Sequence, residues 1–295
     1  MAYSASLTRL RRVFKRKRVS RSTVGQLVVF IFVFGIGLFI ALPLVYMIGN
    51  SFKPLNELWI FPPPLFPQNP TMQNFKKMFE LLTNSWVPIT RYIFNTVFVT
   101  AVGSVLHILL VSLCAYPLAK HPFPGRKMVS RFISFSIKFS GAVLTIPSYI
   151  IIAKLNWLDT YQAMILPAVG STLGCFLMVQ FMGQIHDSLL EAAKIDGSGE
   201  WRIFFTIVMP MVKPAWLTLL MMSVQTFWNM SAGTLIFSEQ LKTLPYAASQ
   251  IVAGGIARAG VGSALMVFML TVPLIVFLKI QSNIIQTLSS SGIKE

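Results

Sequence analysis

Six apolar runs, at about 27–48, 92–117, 132–153, 163–185, 215–237 and 263–285, alternate with polar stretches along the chain. A helix needs about 20 apolar residues to cross the hydrocarbon core of a bilayer, and each run reaches or approaches that length. Asp and Glu are absent from all six. The pattern predicts an all-α, polytopic membrane protein with six transmembrane helices in a single domain over 24–295. Residues 1–23 stand apart as a basic arm.

The stretches between the runs divide into two kinds. Residues 49–90 and 238–262 are weakly basic and rich in proline or glycine. The first carries Pro54, Pro62, Pro63, Pro64, Pro67 and Pro70, which forbid a regular helix there, and then an amphipathic stretch from Thr71 to Leu82. Trp59, Phe61 and Phe66 suit a cover over helix ends or a surface for an outside partner. The turn Leu118 to Arg131 is short and basic instead, and the arm holds Arg9, Arg11, Arg12, Lys15, Arg16, Lys17, Arg18 and Arg21 with no acid. Cytoplasmic loops carry the excess of Lys and Arg, so both termini, including the 286–295 tail, are expected inside. The arm followed by an apolar run resembles a secretion signal, yet the run is too long and lacks a small-x-small cleavage site. A retained first span is expected, with anionic lipid holding the arm.

Composition sharpens this. The 295 residues are 55% hydrophobic and only 12% charged, with a mean hydropathy of +0.68. A soluble domain carries about twice that charge. The net charge of +16 sits at membrane edges, where it reads as topology and not as a nucleic-acid surface. Cys114 and Cys175 lie within spans as small packing residues, with no disulfide expected and no metal site. His107 lies inside the second span, where a packing or hydrogen-bonding role outweighs a ligand role. No phosphate-binding loop, nucleophile elbow or zinc-binding helix pattern occurs, so no catalytic equipment is visible.

The most informative stretch is the polar island from Ser188 to Pro214, within the loop 186–214. Ser188 and Glu191 fit a capping box at the start of a first short helix, with Leu189, Leu190, Ala193 and Ile195 along one side. Gly197 and Gly199 break that helix, Ser198 is placed to cap a second, and Trp201 to Phe205 form another apolar turn. Pro210 and Pro214 precede the fifth span. The spacing Glu191-Ala192-Ala193, three residues, Gly197, nine residues, Ile207-Val208-Met209-Pro210 resembles the EAA signature of ABC importer permeases, with Met209 where that family usually has Leu.

The resemblance extends over most of the chain. Leu42-Pro43-Leu44, Phe52-Lys53-Pro54, Tyr92-Ile93-Phe94-Asn95-Thr96, Ala115-Tyr116-Pro117-Leu118-Ala119-Lys120, Phe123-Pro124-Gly125 and Ile146-Pro147 resemble the carbohydrate-importer permeases of the maltose second-subunit type. Lys242-Thr243-Leu244-Pro245 and the closing Ser291-Gly292-Ile293-Lys294-Glu295 are similar to a Gram-positive subgroup linked to complex oligosaccharides. The resemblance implies a type I ABC importer permease with a cytoplasmic EAA coupling helix. It implies a second homologous permease, two ATPase subunits that bind ATP and Mg2+, an extracellular sugar-binding lipoprotein and an oligosaccharide cargo. The subunit would have no cofactor of its own. Glu191, Ala192, Ala193, Asp196, Gly197, Ile207 and Pro210 would form the ATPase-coupling segment, with Glu191 a charged contact and Gly197 the turn. The 239–260 loop would probe the binding protein's sugar site, and the tail would reach the ATPases.

The spans hold no Asp or Glu, and the uncharged polar groups that stand out inside them are Asn95, Thr96, Gln180, Ser223, Gln225, Trp228, Asn229 and Ser231. Gln225 and Asn229 share a helix face. With Trp228 and Ser231 they offer amides and an indole plane suited to a sugar, or hydrogen bonds between helices and to the partner permease. A membrane-embedded enzyme would have to use Glu191, Asp196, Glu200 and His186, which the coupling reading already explains. An ion-coupled transporter is disfavoured by spans that carry no Asp or Glu. An ABC permease for an amino acid, peptide or metal is the alternative in the same class.

Overall fold

Where the apolar runs continue without a break they form long helices, and where glycine, proline or a polar cluster interrupts them the spans bend. A computed structural model describes residues 23–83, 87–139, 141–231 and 233–291. Most of the basic arm, Trp86 and residues 292–295 lie outside the described residues. The helices are α1 (Thr23–Phe52), α2 (Leu55–Leu58), α3 (Gln73–Thr83), α4 (Ile89–Lys120), α5 (Arg126–Ser136), α6 (Gly141–Lys154), α7 (Tyr161–Val169) and α8 (Thr172–Gly183). They continue as α9 (Asp187–Ile195), α10 (Glu200–Ile203), α11 (Met209–Met211), α12 (Lys213–Trp228), α13 (Leu244–Val252) and α14 (Ala259–Ser291). Among the described residues there is no strand.

Among the described residues, only α1, α4 and α14 are, as single helices, long and apolar enough to cross a membrane. The other three of the six expected spans are interrupted or bent within the described residues. The run 132–153 is split between α5 and α6 around Lys138 and Gly141, a polar, poorly helical joint. The run 163–185 bends by 44° between α7 and α8, where Pro167 removes a backbone donor and Gly170 is extended. The run 215–237 ends as a helix at Trp228. At about 1.5 Å per residue, sixteen residues reach about 24 Å, short of a full crossing.

Helix α4 is the axis of the bundle. Three apolar clusters lie along it. One gathers Val111, Ala115, Tyr116 and Leu118 with Met178, Met182, Phe204 and Leu219. A second surrounds Val99 with Met164 and Phe227. A third joins Tyr92 to Met78, Leu244, Ile251 and Leu265. Gly103 lets α12 approach closely, since a Cβ there would lie 2.7 Å from the Phe227 ring. Gly174 does the same for Leu219, whereas Gly170, four residues earlier, marks the bend with open space around it. The two thiols, far apart in sequence, face each other with Sγ atoms 3.9 Å apart and unbonded.

Each break frees backbone groups that lipid cannot hydrogen-bond. The carbonyl of Val169, at the end of α7, meets His107 Nδ1 at 2.9 Å. A carbonyl only accepts, so Nδ1 carries the proton. Ser171 caps α8 by accepting from the Gly174 amide at 2.9 Å. In α14, Pro273 cannot donate to the Met269 carbonyl, and Trp228 Nε1 donates to it instead at 2.8 Å.

The 53–74 segment folds into a cap with its own polar interior. Buried Glu57 accepts from the amides of Gln68 and Asn69, at 2.9 and 2.7 Å. Buried Lys53 donates to Asn50 Oδ1 at 2.7 Å and to the Pro64 carbonyl. Trp59, Phe61 and Phe66 point outward, and α3 follows as the amphipathic pattern predicts.

Gly103→Val adds bulk where the Phe227 ring already sits, and overpacking of this kind costs about 1–3 kcal/mol. The purified variant is expected to melt several degrees below the wild-type chain in a thermal-shift measurement. An unchanged midpoint would show that α4 and α12 do not cross at Gly103.

Candidate functional site

The segment between the two bent spans is built from local rules and then tied to α4. Helix α9 starts at Asp187, with His186 at its N-cap and no side-chain cap. This corrects the expected capping box: Ser188 lies inside the first turn, where its hydroxyl cannot cap. The anionic partner of the helix start is Asp187, which suits the positive end of the helix dipole. Lys120 Nζ binds Asp187 Oδ1 at 2.7 Å and also donates to the Ile185 carbonyl. The hydrogen bond and charge of Lys120 hold the Asp187 carboxyl below its ordinary range.

The end of α9 is a Schellman turn. The Ser198 amide donates to the Ala193 carbonyl at 2.9 Å and the Gly197 amide to Lys194 at 3.0 Å. Gly197 has φ +76°, and a Cβ there would meet nothing. The glycine is required by backbone conformation and not by crowding. Helix α10 is preceded by Gly199, and Ser198 is not its cap. The chain then widens into a π-turn at Phe204–Val208, where the Met209 amide reaches the Phe204 carbonyl. Pro210 explains the widening, because it lacks the donor for Thr206 and its ring needs room there. The segment Glu200–Met211 meets α12 at 81°, and Trp216 Nε1 donates to the Met209 carbonyl at 3.1 Å.

Burial divides the segment into two faces. Leu190 and Ala193, one turn apart, are buried against α4 and α8 with Ile203, Phe204 and Val208. Leu189 and Ile195, expected beside them, are exposed, Ile195 by 86%. Glu191, Ala192, Asp196 and Gly197 are exposed, Ile207 is half-buried and Pro210 is exposed. The sequence-predicted residues thus form one continuous segment, most of it with an open face.

What the residue pattern did not disclose is the anchor. Glu200 Oε2 accepts from Tyr116 Oη at 2.9 Å and lies 3.4 Å from His121 Nε2. Glu200 Oε1 pairs with Lys194 Nζ at 2.6 Å. Tyr116 and Lys120 are four residues apart on the last turns of α4, so one helix face receives both ends of the loop. The signal available in the sequence was this pair of polar groups at the end of an apolar run.

The span-five group is divided. Gln225 and Asn229 share an exposed face, with Asn229 Nδ2 donating to the Gln225 carbonyl at 2.8 Å. Ser231 is exposed beyond the helix end. Trp228 is buried to 3% exposure and turned onto α14. This corrects the expected platform: the indole is consumed by the Met269 carbonyl, and the amides stand without it. Asn95 and Thr96 are likewise engaged at the opposite end of α4. Asn95 Nδ2 donates to the carbonyls of Gln240 and Lys242, each at 2.8 Å, and Thr96 Oγ1 accepts from the Leu244 amide at 2.8 Å. Tyr92 Oη donates to Glu239 Oε1 at 2.6 Å. Together they fasten the 239–244 segment to α4.

The family model described as binding-protein-dependent transport system inner membrane component matches residues 8–290. Protein LplC of Bacillus subtilis is 33% identical over 199 residues, covering 68% of this chain and 65% of LplC, just under two thirds of that relative's length. The polygalacturonan/rhamnogalacturonan transport system permease protein YtcP of Bacillus subtilis is 29% identical over 227 residues, covering 74% and 73%. A solved bacterial ABC transporter involved in the import of the acidic polysaccharide alginate contains a chain of the same fold. That chain superposes with a TM-score of 0.74 at 21% identity, over 89% of this chain and 98% of that one.

The Lys194 hydrogen bond, and less strongly that of Tyr116, keep the Glu200 carboxyl below its ordinary value of 4.5 against a partial burial that opposes them. A carboxylate lowered on folding stabilises above that ordinary value and loses its contribution as pH falls through the lowered one. Amide protection over Glu200–Ile203, corrected for intrinsic exchange rates, is expected to stay level from neutral pH to about 5 and to fall below that. Protection unchanged down to pH 3 would show that the ionised carboxylate does not hold the segment.

Proposed function

Since the chain belongs to the family of binding-protein-dependent transport system inner membrane components, we propose that it is a translocation subunit of an ABC importer that carries oligosaccharides across the plasma membrane. The observation that carries this reading is the short, open-faced helix α9, closed by the Gly197 turn and set between two bent spans. Glu191, Ala192, Ala193, Asp196, Gly197, Ile207 and Pro210 are its ATPase-coupling residues. The cargo class is supported by relatives whose names specify polygalacturonan and rhamnogalacturonan or arabinooligosaccharides.

The subunit catalyses no reaction. ATP and Mg2+ are bound by two separate ATPase subunits, which grip the exposed face of α9. A second, homologous permease completes the pathway, and an external binding protein delivers the sugar. Closure of the ATPases draws both coupling segments together and turns the spans from inward-open to outward-open. Gln225, Asn229 and Ser231, which present polar groups on an open face, line the sugar's path, and Trp228 supports that path by holding α12 to α14. The end of the bundle that carries α9 is cytoplasmic. The same end has Lys120, Arg126, Lys127 and Arg131 and no acid between them, as the positive-inside bias requires. Both termini then lie in the cytoplasm, with the basic arm on anionic lipid.

Affinity purification of the tagged chain from its native membrane is expected to recover an ATPase, a second permease and a solute-binding protein. Gly197→Val places a β-branched residue at positive φ, a local cost of about 1–2 kcal/mol. It is expected to abolish uptake of the oligosaccharide that the recovered binding protein selects, with membrane insertion unchanged. Normal uptake in that variant, or competition by amino acids or metals in place of sugars, would overturn the reading.

A further inference from the structure

The attachments of α9 to the bundle are unequal at its two ends. Its start is held by Lys120, which grips Asp187 and the Ile185 carbonyl, and its middle by Leu190 and Ala193. Its far end has no apolar seat, with Ile195, Asp196 and Gly197 exposed. That end is tied through the Lys194 ammonium to Glu200 at 2.6 Å. Glu200 is in turn held by the Tyr116 hydroxyl at 2.9 Å. The Tyr116 ring is buried, packed edge-on to His121 at 5.1 Å and tilted against Phe204 at 5.4 Å. A single carboxylate thus joins α9, α10 and α4.

We propose that Glu200 is the positioning residue through which displacement of α9 reaches α4, with Tyr116 as its anchor on the membrane-spanning helix. This rests on the coupling role given above. Apolar side chains such as Leu190 and Ala193 slide over their neighbours, whereas short, directional hydrogen bonds to an ionised group resist a change of distance or angle. Load applied to the open face of α9 by an ATPase would rotate its unseated end first. The Lys194–Glu200–Tyr116 chain converts that rotation into a pull on α4. Since α4 packs against α7, α8 and α12, it passes the movement to the other spans. The Lys194 and Glu200 side chains are 47% and 48% exposed, and ion pairs that open to solvent add little to folding. Loss of this pair therefore leaves the chain folded and exposes its effect on coupling.

The test uses the assembled transporter, both permeases with ATPases and binding protein, in proteoliposomes, with ATP hydrolysis and sugar uptake measured together. Glu200→Gln keeps the size and an acceptor for Tyr116 but loses the charge that binds Lys194. Tyr116→Phe keeps the ring packing and loses the hydroxyl. Each is expected to retain its ATPase at wild-type yield and to hydrolyse ATP within about twofold of wild type, while sugar moved per ATP falls by about fivefold or more, the low end of a typical coupling between sites. The double variant is expected to be no worse than the weaker single, because both act on one path. A wild-type ratio of sugar to ATP in Glu200→Gln would overturn the proposal, as would equal losses of hydrolysis and uptake, which mark a merely structural role. If Gly197→Val uncouples transport while Glu200→Gln does not, only the role of Glu200 falls. If neither variant affects transport, the coupling segment itself is misassigned.

Discussion

In hydrocarbon a backbone N–H or C=O without a partner costs several kcal/mol, because no water stands by to replace it. This chain departs from straight helices at several places, and at three of them a specific side chain answers. The Val169 carbonyl, released by the α7–α8 bend, is met by His107. The Met269 carbonyl, deprived of its donor by Pro273, is met by the Trp228 indole. The Met209 carbonyl at the turn into α12 is met by Trp216. Each of these donors sits on a different helix or turn from the break, or several residues beyond it, so satisfying the backbone also sets how the helices pack. His107, Trp216 and Trp228 are spent in this way.

That constraint limits what remains for function. Asn95 and Thr96, polar groups within an apolar run, are occupied by the 239–244 segment. Trp228 is occupied by α14. Gln225 and Asn229 keep an open face, and so do Glu191, Ala192 and Asp196 on α9. Open polar groups are thus concentrated where the proposed function needs contacts with sugar and ATPase.

Helix α4 links the two ends of the molecule. One end, through Tyr92, Asn95 and Thr96, holds the 239–244 segment, and the other, through Tyr116 and Lys120, holds α9 and α10. Its 32 residues run about 48 Å. One continuous helix therefore spans the distance between the two sets of attachments. The close crossing at Gly103 packs α12, with its open Gln225 and Asn229, against the same axis.

The sequence alone determined the helical membrane class, the positions of the apolar runs and the turn at Gly197. Each of these depends on neighbours within a few residues: hydropathy is a local sum, and a helix stop is local backbone chemistry. Local reasoning failed where a side chain had a choice of partner. It joined Trp228 to Gln225 and Asn229, passed over Glu200 as an anchor, and did not show where the third, fourth and fifth runs break or bend. The partners that decide those cases lie far off in the chain: Met269 for Trp228, Tyr116 for Glu200, Val169 for His107. Only the tertiary packing brings such groups within hydrogen-bond reach, and in a medium without water that proximity decides which polar residues are structural and which stay free to act.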